Sequence, residues 1–236
     1  MNLKKEIRIE TIVVSLVISL MTILLLSILL NFDVSTTNSL GSELLNINES
    51  TTQSANAVTS VVTYFRGFDT LGEVTILFLS IFGISLGLDN MNKKSNIFSY
   101  ENRLLKIGVE VLFPLIILFG FYIIIHGHLS PGGGFQGGVI IASGFLLMFL
   151  AKNDDFRLNH KIITLCESFS GAGFILVGIL GVLLADRFFG NFLPLGSIDD
   201  LFSGGLIPLI YIFVGIKVSA EITALVEYFI RIKDVG

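Results

Sequence analysis

Arg66, Asp69 and Glu73 open one apolar run, Lys217 and Glu221 lie within another, and His126 and His128 stand at a glycine-rich bend. An ionised side chain at the centre of a bilayer costs about 3 kcal/mol on insertion scales, so charges at membrane depth face protein or water. Glu73 is followed at once by Val74-Thr75-Ile76-Leu77-Phe78-Leu79 and is the first candidate for an ion-relay carboxylate. Arg66 lies seven residues before it, two helical turns away and on one face if a helix runs through both. Arg66 is also a turn neighbour of Asp69 and Thr70, and Arg66 and Asp69 can equally snorkel at the interface. Lys217 and Glu221 are spaced i, i+4 and can pair. That pair reads either as a neutral internal ion pair orienting its helix or as a titratable lysine in a proton path. Glu110 and Glu167 suit interfacial positions, with Glu227 near the end of the last run. A His-x-His pair without further ligands is a poor metal site, so His126 and His128 suit hydrogen bonding, with proton handling as the second reading.

The bend itself is the run His126-Gly127-His128-Leu129-Ser130-Pro131-Gly132-Gly133-Gly134-Phe135-Gln136-Gly137-Gly138. Pro131 fixes φ and the glycines supply conformations closed to other residues, so the backbone is irregular here. Such backbone beside membrane helices is tolerated only when buried in protein or lining a wet cavity. Gly134 and Gly138, like Gly83 and Gly87, form small-xxx-small patterns that let helices approach closely.

The elements that position these residues are apolar helices. Hydrophobic residues make up 53% of the 236-residue chain and charged ones 14%, with a mean hydropathy of +0.84. A soluble globular domain is excluded by that balance. Six apolar stretches are expected to span: Thr11–Leu30, Leu71–Leu88, Ile107–Ile125, Gly137–Leu150, Ile162–Leu184 and Leu206–Ile230. Most approach the ~20 residues needed to cross a ~30 Å hydrocarbon core. The fourth is short, so its helix should either begin inside the glycine knot or sit in a thinned, protein-lined region. Strict alternation of the barrel kind is absent, leaving an all-α, polytopic membrane protein. The first stretch is too long for a signal-peptide core and lacks a small-x-small cleavage site, so it is expected to be a retained helix. With the N-terminus inside, all of the 15 Lys and Arg except Arg66, Arg187 and Lys217 fall on inside segments. The positive-inside rule therefore predicts both termini in the cytoplasm and the knot outside, between the third and fourth spans.

The Ser-, Thr- and Asn-rich segment 31–60 reads as an outside polar loop with a short interfacial helix, or as a partly disordered linker. The segment Asp89–Lys106 divides a two-helix front part from a four-helix back part, giving residues 1–95 and 96–236. The lone Cys166 cannot form an internal disulfide. Nucleotide fingerprints and metal-ligand clusters are absent from the sequence.

The knot Gly127–Gly138, the helix Val139–Leu150 after it and Val214-Gly215-Ile216-Lys217-Val218 resemble the B subunit of Mrp-type (Mnh) multisubunit Na⁺/H⁺ antiporters over roughly Glu101–Ile232. Separately, Val58–Leu88 with Arg66-Gly67-Phe68-Asp69-Thr70-Leu71-Gly72-Glu73 is similar to the C-terminal tail of the large Mrp A subunit. In related membrane-bound hydrogenases that tail is a separate small subunit beside a B-like one, so the chain looks like a fusion of two neighbours.

The resemblance implies a small, non-catalytic helical subunit without a cofactor, in a large assembly in the cell membrane that translocates H⁺ and Na⁺. Its partners would be other integral membrane subunits and the lipid bilayer, with no nucleic acid. Arg66 and Glu73 match charged positions of the tail motif, and Lys217 the family's intramembrane lysine. Pro131 and Phe135 match the knot, in which His128, Gly132, Gly133, Gly134, Gly137 and Gly138 would serve subunit packing. Glu221 departs from the family pattern, and Gln136 is closer to the hydrogenase-linked branch. The leading expectation is an accessory antiporter subunit. The alternatives are the ion-pumping arm of an energy-converting hydrogenase or related reductase, and a purely structural subunit.

Overall fold

A computed structural model of the chain describes residues 15–16, 18–24, 26–27, 30, 40–89, 103–152 and 156–231. The chain divides into two units, residues 1–43 and 44–236. In the first, the described residues between 15 and 30 are helical, with Thr22 Oγ1 donating to the Ile18 carbonyl at 2.8 Å. The rest of the predicted span Thr11–Leu30 lies outside the described residues.

The order of elements that follows is α1 (Leu40–Thr52), α2 (Ala57–Ser60), a π-helical turn (Val61–Phe65), α3 (Gly67–Asp89), α4 (Arg103–Ile125), α5 (Gly134–Lys152), α6 (His160–Ala185) and α7 (Ile207–Arg231). Five of these, α3 to α7, are long and apolar enough to cross a membrane, and no strand occurs among the described residues. A 23-residue helix such as α3 or α4 extends about 35 Å, enough for the hydrocarbon core. Helix α5 begins at Gly134, inside the glycine run, the first of the two arrangements open to the short fourth stretch. Helix α4 continues through Pro114. The protein is thus a multi-pass, all-helical membrane protein.

Helix α7 is the hub. Its buried residues Ile207, Ile210, Tyr211, Val214, Val218 and Glu221 recur at three- and four-residue spacing, so one broad stripe is covered. One flank joins Val74, Phe174 and Val177 in a core that also holds Phe189 and Leu206. The other packs Ile207 and Tyr211 with Ile124 and Ile141. Helix α6 ends where Asp186 adopts a left-handed conformation (φ 53°), which an aspartate tolerates better than bulkier residues.

Segment 40–60 is not a disordered linker. Helix α1 occupies much of it, Asn56 caps α2 by accepting from Thr59 N, and Asn48, Thr52, Ser54, Thr59 and Ser60 are all buried. Asn48 Oδ1 accepts from Thr52 Oγ1 at 2.8 Å and from Ser60 Oγ.

Candidate functional site

The knot is a polar hairpin whose carbonyls are capped from a distant part of the chain. It closes on itself through Gly133 N to the Ile123 carbonyl at 3.2 Å, with Gly133 at φ +139°, a conformation that favours glycine. Asn56 Nδ2 then donates to the carbonyls of Gly127 (3.0 Å) and Ser130 (2.9 Å), and Asn56 N to that of His128 at 3.0 Å. Ser54 Oγ donates to the His128 carbonyl at 2.8 Å. Tyr211 Oη donates to Thr59 Oγ1 at 3.0 Å, which donates to the Gly127 carbonyl at 2.7 Å. Three carbonyls left open by the irregular turn are therefore satisfied, as membrane-depth backbone requires. Because Asn56 serves two of them, Asn56→Ala is expected to destabilise the protein by about 2–3 kcal/mol. The check is a lowered unfolding midpoint for the detergent-solubilised protein.

The knot glycines face two ways. A Cβ on Gly134 would lie 2.7 Å from the Tyr211 carbonyl, and one on Gly138 3.0 Å from that of Gly215. One on Gly137 would strike Ile124 and lie 2.6 Å from the Gly120 carbonyl. The small residues thus seat α5 between α4 and α7. Gly83 and Gly87, by contrast, have nothing within 4 Å. Pro131 is exposed and Phe135 half-buried, the latter against the α7 core. His128 is fully buried, and burial pushes its imidazole pKa down, so the knot holds it neutral.

Glu73 opens onto a groove of about 510 Å³ lined by Asn56, Thr59, Thr70, Pro131, Gln136 and Tyr211, among others. It is exposed. The start of α3 and the knot therefore meet at one site. Arg66 lies just before α3 and pairs with Asp69 (2.6 Å), both largely exposed.

Lys217 and Glu221 form an ion pair of 2.6 Å, with side chains 13% and 3% exposed. The Lys217 ammonium sits 5.1 Å above the Phe78 ring of α3. Glu221 also lines a second cavity of about 400 Å³, between α3, α6 and α7, with Phe78, Phe82, Ser85, His160, Glu167 and Glu227. Its Oε2 accepts no hydrogen bond from the described residues. Tyr211 and Glu221 are ten residues apart on α7, or about 15 Å. The buried Val74, Val214 and Val218 pack into the core lying along α7 between them. Two recesses, one holding Glu73 and the other Glu167, Glu221 and Glu227, thus open on the α3–α7 seam with an apolar plug between. Glu110 pairs with Lys152 at 2.8 Å.

Sequence reading missed the clamp residues Ser54, Asn56 and Thr59, whose one signal was a polar tract beside a span. It also did not bring His160, Glu167 and Glu227 together with the Lys217 pair, since they lie on two helices.

A bundle of apolar helices with a buried glycine knot and charged residues along an internal seam defines a polytopic membrane protein. The family described as a domain related to the MnhB subunit of Na⁺/H⁺ antiporter matches residues 104–224, and the chain belongs to that family. An uncharacterized protein of Methanocaldococcus jannaschii is 28% identical over 195 residues, 71% of this chain and 74% of that protein. The putative antiporter subunit mnhB2 of Staphylococcus saprophyticus is 48% identical over 69 residues, 27% of this chain and 49% of its own length. Among solved structures, a chain of the archaeal membrane-bound sulfane sulfur reductase matches with TM-score 0.75 and 35% identity, over 94% of this chain and 98% of that one. The Mrp complex from Dietzia sp. matches in fold with TM-score 0.62 and 22% identity, over 81% of this chain and 22% of that one.

Proposed function

We propose that the protein is a non-catalytic membrane subunit of a multisubunit Na⁺/H⁺ antiporter, contributing to assembly and to an ion pathway. The observation that carries this reading is the family match over residues 104–224, which takes in the whole knot and Lys217. In this reading the chain has six spans with both termini cytoplasmic, and joins a tail-like part (residues 1–95) to a B-like part (96–236). Glu73, with Arg66 and Asp69 at the same helix start, shapes an ion route at a subunit interface. Lys217 and Glu221 carry charge deeper along the seam, and the knot packs α5 in place. Neighbouring membrane subunits cover the apolar faces.

A second reading, the ion-translocating arm of a redox complex, is favoured by the end-to-end match to the sulfane sulfur reductase chain. Purifying the tagged protein with its intact complex separates the two. Only antiporter-type membrane subunits are expected to accompany it. Stoichiometric iron–sulfur subunits would overturn the antiporter reading in favour of the redox arm. Isolation as a lone polypeptide from gently solubilised membranes would sink both.

A further inference from the structure

We infer that the cavity between α3, α6 and α7 is a proton-entry well, in which His160 and Glu227 pass protons from the end of the bundle where α5 ends at Lys152 and α6 begins at His160 to Glu221. This inference rests on the ion-translocating reading above, although it does not depend on which force drives the complex.

His160 stands at the mouth with its side chain 73% exposed, and its Nε2 lies 3.9 Å from Glu227 Oε1, whose side chain is 1% exposed. Further in, Glu221 holds Lys217 through Oε1 at 2.6 Å, while Oε2 accepts no hydrogen bond from the described residues. Glu167 lines the same space. Glu221 and Glu227 are six residues apart on α7, a rise of about 9 Å, so a proton must cross between them on water. A space of about 400 Å³ has room for roughly a dozen waters at about 30 Å³ each.

The composition favours protons over metal cations. A metal cation wants a shell of oxygen donors, whereas here an ammonium already occupies the inner carboxylate and an imidazole guards the mouth. An imidazole at the mouth followed by carboxylates forms a series of groups each able to take and release a proton. From α3 the wall supplies Phe78, Phe82 and the hydroxyl of Ser85, and no charge. In the transfer one proton moves and nothing else changes hands. His160 Nε2 releases it to a water bridging the 3.9 Å gap, which passes a proton to Glu227. Glu227 gives it to the water chain, which delivers it to Glu221 Oε2, each N–H or O–H bond broken being replaced by one formed. Glu221 then becomes neutral, and the Lys217 ammonium loses its counter-charge beside the apolar plug. Proton arrival is thereby converted into a change of charge on the seam.

The test uses the intact complex in proteoliposomes, with proton movement followed by a pH-sensitive dye under a Na⁺ gradient or the complex's own electron donor. Glu227→Gln is expected to slow proton movement roughly a hundredfold, the scale of losing a positioned proton carrier. Glu227→Asp should keep much of the rate, and the surface variant His160→Ala should slow it less. Millimolar formate or azide, small weak acids that carry protons into the well, should restore most of the Glu227→Gln rate. An unchanged rate in Glu227→Gln overturns the inference. So does a slow rate that neither weak acid lifts, because that marks a structural role. A wild-type complex that moves protons only with its electron donor sinks the antiporter reading alone. One that moves none under either drive overturns both.

Discussion

Glu73→Gln is expected to lower Na⁺-dependent proton exchange by roughly two orders of magnitude or more while the complex still assembles. Gln preserves the shape of the side chain and removes only its charge and its capacity to hold a proton. Glu73 is exposed on α3 and makes no hydrogen bond or ion pair among the described residues, so no such contact in this fold depends on its charge. The side chain instead faces a groove floored by the knot and Tyr211. A carboxylate kept at membrane depth without an internal partner calls for an ion or a neighbouring subunit. The measurement is exchange in everted membrane vesicles alongside the subunit composition of the purified complex. Exchange at the wild-type rate would remove Glu73 from the ion route, and loss of assembly would make it an interface residue.

Gly137→Val is expected to prevent stable incorporation of the protein into its complex. The added Cβ would strike the Ile124 side chain and lie 2.6 Å from the Gly120 carbonyl. The second contact is with backbone, which cannot rotate aside, so α4 and α5 must separate. Overpacking of this kind costs about 1–3 kcal/mol, and more where backbone must move. Separation would also pull Gly133 N from the Ile123 carbonyl and loosen the turn that Asn56 caps. Gly83→Val is the matched comparison, because nothing in this fold lies within 4 Å of that position. Comparing the two variants by immunoblot of washed membranes and by pull-down of partner subunits gives the answer. Equal retention of both would show that the α4–α5 contact tolerates expansion.

Much of the helical architecture was legible in the sequence, because long apolar runs announce membrane helices without help from tertiary contacts. Helix α5 starting at Gly134 was one of two ways to give a short stretch the length a span requires, and the Lys217–Glu221 pair followed from helical spacing alone. Arg66 shows where local reasoning stops. The argument for a shared face with Glu73 assumed a helix through both, whereas α3 begins at Gly67 and the arginine pairs with Asp69. The clamp was less legible still. Asn56 reaches carbonyls more than seventy residues away, and a side chain that caps backbone leaves no periodic trace. His160 and Glu227 approach each other only because α6 and α7 pack side by side.

The clamp also bears on the order in which the chain becomes stable during synthesis. Its donors, Ser54, Asn56 and Thr59, precede α3, while its acceptors, Gly127, His128 and Ser130, follow α4. Donors therefore leave the ribosome before the carbonyls that need them, and wait on the side of the membrane where the α4–α5 turn will emerge. When that turn is delivered it meets a receptor already in place. Ser54 and Asn56 can therefore cap the irregular backbone before α7 exists, and Tyr211 adds its hydroxyl to Thr59 afterwards.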